Sequence, residues 1–177
     1  IDESIAKDKS NDILTSSAPR APVKMMELSM GSGAYTISSS QGIWSAVTGS
    51  NYTGLNTNEI KWGNATQGGK RSGLLFTPPT ASQSFDAGET FLIGTLTHEN
   101  WPVTGGTATG ATLKVSLTFS NPVLSTNPVF TFNFNIKETE NGSFNWKYCP
   151  GYPSEQLSQT PCDDVITFPS AYGEESF

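Results

Sequence analysis

Ala111-Thr-Leu-Lys-Val-Ser-Leu-Thr-Phe119 alternates without a break: Leu113, Val115, Leu117 and Phe119 fall on one side of a pleat, and Thr112, Lys114, Ser116 and Thr118 on the other. A period of two sustained in this way marks an antiparallel strand with one buried face and one wet face. The next run repeats the pattern, with Phe130, Phe132, Phe134 and Ile136 inward and Thr131, Asn133 and Asn135 outward. After it, Asn141-Gly142 is the strongest two-residue turn signal in the chain, so residues 143–148 are expected to return as a hairpin partner. Upstream, Phe91-Leu-Ile-Gly-Thr-Leu-Thr-His98 carries bulk on both faces. It therefore reads as a central strand buried between two layers, running into a turn at residues 98–103 that holds the only histidine.

Shorter strands are expected at residues 34–37, 42–45, 59–63, 71–76 and 164–168, with residues 47–58 and 80–89 as polar loops. Pro78-Pro79 ends its strand because proline donates no ladder hydrogen bond. Nowhere does a helical period last beyond a turn or two. The pattern predicts an all-β fold: an antiparallel β-sandwich, jelly-roll or Ig-like, of eight to ten short strands. At 177 residues the chain is long enough for one such domain, placed at residues 31–177 behind an N-terminal arm at residues 1–30.

Composition narrows the function. Charged residues make up 15% of the chain, Gly and small polar residues abound, and the balance suits an exported surface protein better than a cytosolic enzyme. A net charge of -6 disfavours nucleic acid, since Lys70-Arg71 is the one basic cluster and is too small to offset it. No run of about 20 apolar residues is present, so no membrane span is expected. The first residue is Ile1, which suggests a processed N-terminus and hence an extracellular or cell-surface location. Cys149 and Cys162, set in a Pro-rich loop, are expected to form a disulfide; two unrelated buried thiols are the alternative.

The arm is charged and polar up to about residue 20. Val23, Met25, Met26, Leu28 and Met30 then give two short alternating runs offset by a frame shift, as in a bulged strand at residues 22–30. Such a strand need not pair within its own domain.

Gly42-Ile-Trp-Ser45, Ile60-Lys-Trp-Gly63, Ser72-Gly-Leu-Leu-Phe76, Phe91 to His98 with Asn100 after it, and Cys162-Asp-Asp-Val-Ile-Thr-Phe168 follow one another in an order that resembles the choice-of-anchor K domain of exported bacterial proteins. The likeness covers about residues 40–177, and the Gly-Thr-Leu-Thr-His-x-Asn run is its most specific part. It implies an exported surface module with no catalytic residues to carry over. Such domains run on into a further strand, so the resemblance also implies that the chain stops one strand short at Phe177.

Chemistry is sparse. His98 has no second histidine to share a metal, and Glu99 points to the opposite face of a strand, so His98 and Asn100 are read as residues that order a turn. No Gly-x-Ser-x-Gly elbow occurs and no two carboxylates are placed as a pair, so the chain is expected not to be an enzyme. Asp163 and Asp164 are candidate calcium ligands, weighed against a simple solvated acidic turn; no cofactor is required. Tyr52 and Trp101, in loops, are candidates for a ligand-stacking surface. Asn51, Asn64 and Asn141 head glycosylation-type triplets. The favoured expectation is a non-catalytic extracellular structural subunit of a filament or surface layer, polymerising with copies of itself head to tail by donation of the arm strand. The alternative is a monomeric adhesion module that binds surface glycans.

Overall fold

The computed structural model describes residues 23–24, 34–66, 68–138 and 164–167, the first pair as backbone alone. Twelve strands and no helix are present among the described residues: β1 (Val23–Lys24), β2 (Ala34–Gly49), β3 (Tyr52–Thr53), β4 (Glu59–Trp62), β5 (Asn64–Ala65), β6 (Ser72–Thr77), β7 (Gln83–Asp86), β8 (Thr95–Glu99), β9 (Val103–Thr104), β10 (Ala108–Asn121), β11 (Val129–Lys137) and β12 (Val165–Thr167). Eight to ten were expected. The excess comes from β1, β3, β5 and β9, which have two residues each and so offer no period to read.

All pairing is antiparallel. One five-stranded sheet has the order β12-β11-β10-β2-β7, a second has the order β1-β8-β6-β4-β3, and β5 and β9 form a small separate ribbon. The two alternating runs at the start of the argument lie side by side: Leu113 faces Phe132 and Val115 faces Phe130 across the β10–β11 ladder. Their inward residues, from Ala111 to Phe119 and from Phe130 to Ile136, are buried while Lys114, Thr118, Thr131, Asn133 and Asn135 are exposed. Trp44 and Trp62 are both fully buried core residues, as their positions in alternating strands predict.

The sheets approach each other closely at Phe76. A Cβ placed on Gly42 of β2 would come within 2.3 Å of the ring, and one placed on Gly94 within 2.2 Å of its far side. Both glycines are therefore required by close approach of the backbone to a buried aromatic face. The Asn58 carbonyl accepts the Phe76 amide at 2.8 Å and the Trp44 indole N–H at 3.1 Å, so one loop residue fixes both aromatics.

Several expectations change, the first at residues 47–58, where the expected polar loop holds the end of β2 and all of β3. The serine run between residues 37 and 42 is not a connection: β2 continues through it, with Ser38 Oγ donating to the Thr118 carbonyl and buried Ser40 Oγ donating to the Ile93 carbonyl at 2.6 Å. The loop expected at residues 80–89 contains β7. The strand expected to start at Phe91 starts at Thr95. Before it, the Leu92 backbone pairs with a side chain instead of a strand: Gln83 Oε1 accepts its N–H at 3.1 Å and Gln83 Nε2 donates to its carbonyl. Nor is this strand central, since β8 has only the two-residue β1 outside it.

Neither Gly42 nor Gly94 is held at positive φ, so alanine there would ordinarily stabilise by about 0.4–1 kcal/mol through the unfolded chain. The clash with Phe76 reverses that sign. Gly42→Ala and Gly94→Ala are each expected to destabilise by about 1–3 kcal/mol in urea melts, and Phe76→Leu is expected to recover part of the loss in either background.

Candidate functional site

The interior between the sheets is apolar around Phe76 and polar at the other end. Trp62 of β4 and Ser72 of β6 are directly opposite each other in their ladder, and His98 of β8 lies opposite Leu74. The His98 ring stacks on the Trp62 indole with centroids 6.3 Å apart and an interplanar angle of 16°. Two carboxylates from the other sheet reach into this group. Glu138, just after β11, accepts the Trp62 indole N–H and has its second oxygen 3.4 Å from the Ser72 hydroxyl. Asp164, just before β12, brings Oδ2 to 3.5 Å from His98 Nε2.

His98 therefore lies in strand β8 and points inward; it is not part of the turn in which it was expected. The reason is register: Leu96 and His98 share the inward face of β8, while Thr95, Thr97 and Glu99 lie on the outer one. Asn100 does follow the strand directly. His98 is 6% exposed and Asp164 is fully buried. Among the described residues neither ring nitrogen of His98 makes a hydrogen bond. Both groups are thus buried where the two sheets pack. Asp164 is accordingly not a solvated acidic turn.

Ser72 has a second task. Its hydroxyl donates to the Trp101 carbonyl at 2.8 Å and accepts the Trp101 amide at 3.1 Å, so the loop after β8 is pinned to β6. The Trp101 ring is half-buried under Lys70, whose Nζ sits 4.0 Å from the centroid, a cation–π arrangement. This loop meets the one carrying Tyr52. Asn51, at φ 54°, donates from Nδ2 to the Gly105 carbonyl at 2.9 Å and to Asn64 Oδ1 at 3.0 Å. Asn tolerates that left-handed conformation better than other side chains. Arg71 closes the cluster, donating to the carbonyls of Gly63 and Asn51 and to Thr53 Oγ1.

The structure thus brings the Tyr52 and Trp101 loops together but treats the two aromatics differently. Tyr52 is opposite Trp62 in the β3–β4 ladder and packs against the core, whereas the half-buried Trp101 ring lies beneath Lys70. Asn51 and Asn64 are exposed, and the Asn51 amide nitrogen that a glycan would occupy is engaged in the two bonds above.

The outer edge of β8 is the third feature. Val23 pairs with Leu96 and Lys24 with Thr95, so the start of the arm strand adds to this edge of its own chain. On the outer face, Lys61 lies 3.1 Å from Glu59 and 3.5 Å from Glu99. Hydrogen bonding to Glu59 holds the Lys61 ammonium above its ordinary range, with burial opposing that shift and Glu99 adding to it.

Met25, Met26, Leu28, Met30, Asn141, Cys149, Cys162 and Asp163 lie outside the described residues. Among the described residues no three His, Cys, Asp or Glu side chains converge to hold a metal ion, and no helix is long and apolar enough to cross a membrane. Glu138 was not anticipated as a core residue; its place at the end of an alternating strand carries no signal of the indole it meets. Compared with known proteins, the chain matches no protein-family model and no curated protein.

A double-mutant cycle tests the polar interior. Asp164→Ala and His98→Ala are each expected to destabilise by about 1–3 kcal/mol, as removal of a partner from a buried polar pair does. Their coupling, read by urea melts, is expected to be at least about 0.5 kcal/mol; strict additivity would show that the two side chains do not interact.

Proposed function

We propose that this chain is a non-catalytic extracellular structural subunit that assembles with copies of itself by adding an N-terminal strand to the outer edge of β8. The observation that carries the reading is the β1–β8 pairing: the arm is already accepted as a strand at that edge, in an antiparallel register. In an assembly the same edge would receive the arm of a neighbouring copy. Such a contact is heterologous, with the donor and acceptor surfaces on different parts of the chain, and it therefore propagates head to tail. Two further points support it. Residues with catalytic potential sit at the junction of the sheets, Glu138 bonded to the Trp62 indole, Ser72 to the Trp101 backbone, and Asp164 beside the buried His98 ring. The resemblance to the choice-of-anchor K domain, which favours an exported surface protein, falls on packing residues: Gly42, Trp44, Trp62, Phe76, Gly94 and His98.

A second reading, a monomeric adhesion or carbohydrate-binding module, draws support from the half-buried Trp101 ring held beside Lys70 on a hydrogen-bonded loop cluster. Tryptophan offers a broad flat face with a polar handle, as sugar stacking needs.

Deleting residues 1–30 is expected to abolish filaments seen by electron microscopy, and chelator treatment of the intact protein is expected to leave them unchanged; filaments that persist after the deletion would sink the strand-donation reading. For the second reading, Trp101→Ala is expected to remove any signal on a glycan array, and binding that ignores the substitution would place the ligand elsewhere.

A further inference from the structure

Residues from 49–58, 63–71 and 100–107 are tied together beside Trp101. Asn51 donates to Asn64 Oδ1 and to the Gly105 carbonyl, Arg71 donates to the Asn51 carbonyl, and Thr66 Oγ1 donates to the Pro102 carbonyl at 2.8 Å. The chain carries 16 Asp and Glu and a net charge of -6, yet none of these three segments contains a carboxylate, while Lys70 and Arg71 both belong to them. The adjoining carboxylates already have partners. Glu59 and Glu99 lie against Lys61 on the outer face of their sheet, and Glu138 is bonded to the Trp62 indole and the Ser72 hydroxyl. Among the described residues, no carboxylate lies within ion-pairing distance of Lys70 or Arg71. Arg71 directs its donors to neutral oxygens, the carbonyls of Gly63, Asn51 and Lys61 and the Thr53 hydroxyl, so its charge stays uncompensated there. The exposed Lys70 ammonium rests 4.0 Å from the Trp101 ring centroid.

We infer that this cluster binds an acidic glycan, with a sugar carboxylate on the Lys70 ammonium and the Trp101 ring as the floor that positions it. This rests on the carbohydrate-binding reading above and names its ligand class. On the Lys70 face of the ring a neutral sugar would have to displace the ammonium, whereas a carboxylate takes it as a partner. An ammonium has three donors, and a ring face engages it from one side only, which leaves donors for an anion. Hydrogen bonds between two charged groups are stronger than those between neutral ones, so the acidic sugar is favoured over its neutral counterpart. The floor is held in place: Ser72 Oγ bonds both the Trp101 amide and its carbonyl. There is room beside Lys70, since a Cβ placed on Gly68 or Gly69 would meet nothing within 4 Å. Exposed Asn64 and Thr104, opposite each other in the β5–β9 ribbon, supply neutral hydrogen-bonding groups of the kind that sugar hydroxyls need.

Full-length protein is applied to a glycan array that carries polygalacturonate, alginate, hyaluronate and sialyllactose, each beside its carboxyl-reduced, neutral form. Binding confined to the acidic members is expected, and it is expected to weaken as salt is raised, since exposed charges are screened. Affinities of variants are then measured for the strongest acidic ligand. Lys70→Met keeps an apolar stem on the ring and removes the charge; it is expected to lower affinity about tenfold, the loss of one charged hydrogen bond. Lys70→Arg, which restores a cation over the ring, is expected to retain most of the binding, and Trp101→Ala to lose as much as Lys70→Met. Equal binding to acidic and reduced forms, abolished by Trp101→Ala, would overturn the charge assignment and leave the carbohydrate-binding reading standing. Acid-specific binding that ignores both Lys70→Met and Trp101→Ala would place the ligand elsewhere and overturn this site. No signal on any glycan would overturn the inference and the carbohydrate-binding reading together.

Discussion

Phe76 is buried between the sheets with the backbones of both Gly42 and Gly94 close against its ring. An aromatic ring held between two backbones sets how near the sheets can come, and interiors packed at crystal-like density transmit such a constraint to their neighbours. Asn58 extends it. Its carbonyl takes the Phe76 amide and the Trp44 indole, and its side-chain amide donates to the Phe76 carbonyl at 3.1 Å. The Trp44 backbone is bonded in turn to Asn56 and Thr57. The loop between β3 and β4 is thereby fixed to β2 of the opposite sheet, and the ladder positions of β4 and β6 follow from it.

At the far end of the interior the joining is polar. Glu138 and Asp164 reach from one sheet to Trp62, Ser72 and His98 of the other. Pairs of this kind contribute little net stability compared with well-packed apolar residues, because desolvation opposes the attraction, yet breaking one leaves a costly orphan. Their value here is geometric. A donor and an acceptor can meet in one relative placement of the sheets, whereas apolar faces could slide. The side chains with the most chemical capacity are those that meet at the junction of the two sheets.

The long alternating strands were legible because their signal is local. In β10 and β11 the burial of each residue follows its parity, from Ala111 to Phe119 and from Phe130 to Ile136. What could not be read was held by bonds between distant residues. Ser38 and Ser40 resemble a loop until Thr118 and Ile93 are placed beside them. Gln83 looks like a polar loop residue until its amide is seen to serve as the partner of Leu92. From its neighbours His98 reads as a turn residue, but its place inside the strand depends on where β8 ends, which is at Glu99. Trp101 and Tyr52 read alike from their polar surroundings, and both are half-buried; the pairing of Tyr52 with Trp62 sets it against the core, while Trp101 lies beneath Lys70.

The β2–β10 ladder runs from Thr36 opposite Asn121 to Gly49 opposite Ala108. Its two strands are far apart in the sequence, and pairings of that kind carry a large loop-closure cost before any contact compensates for it. While the chain is being made, β2 has only the four residues of β7 to pair with until β10 exists, and β7 covers just its first turn of ladder, Ala34 to Ile37. Folding is thus tied to the arrival of the residues near 121, and it belongs to the slow regime of all-β domains, milliseconds to seconds. In the interval the remainder of β2 is an uncovered strand edge, so the risk of mispairing is greatest before synthesis has passed β10.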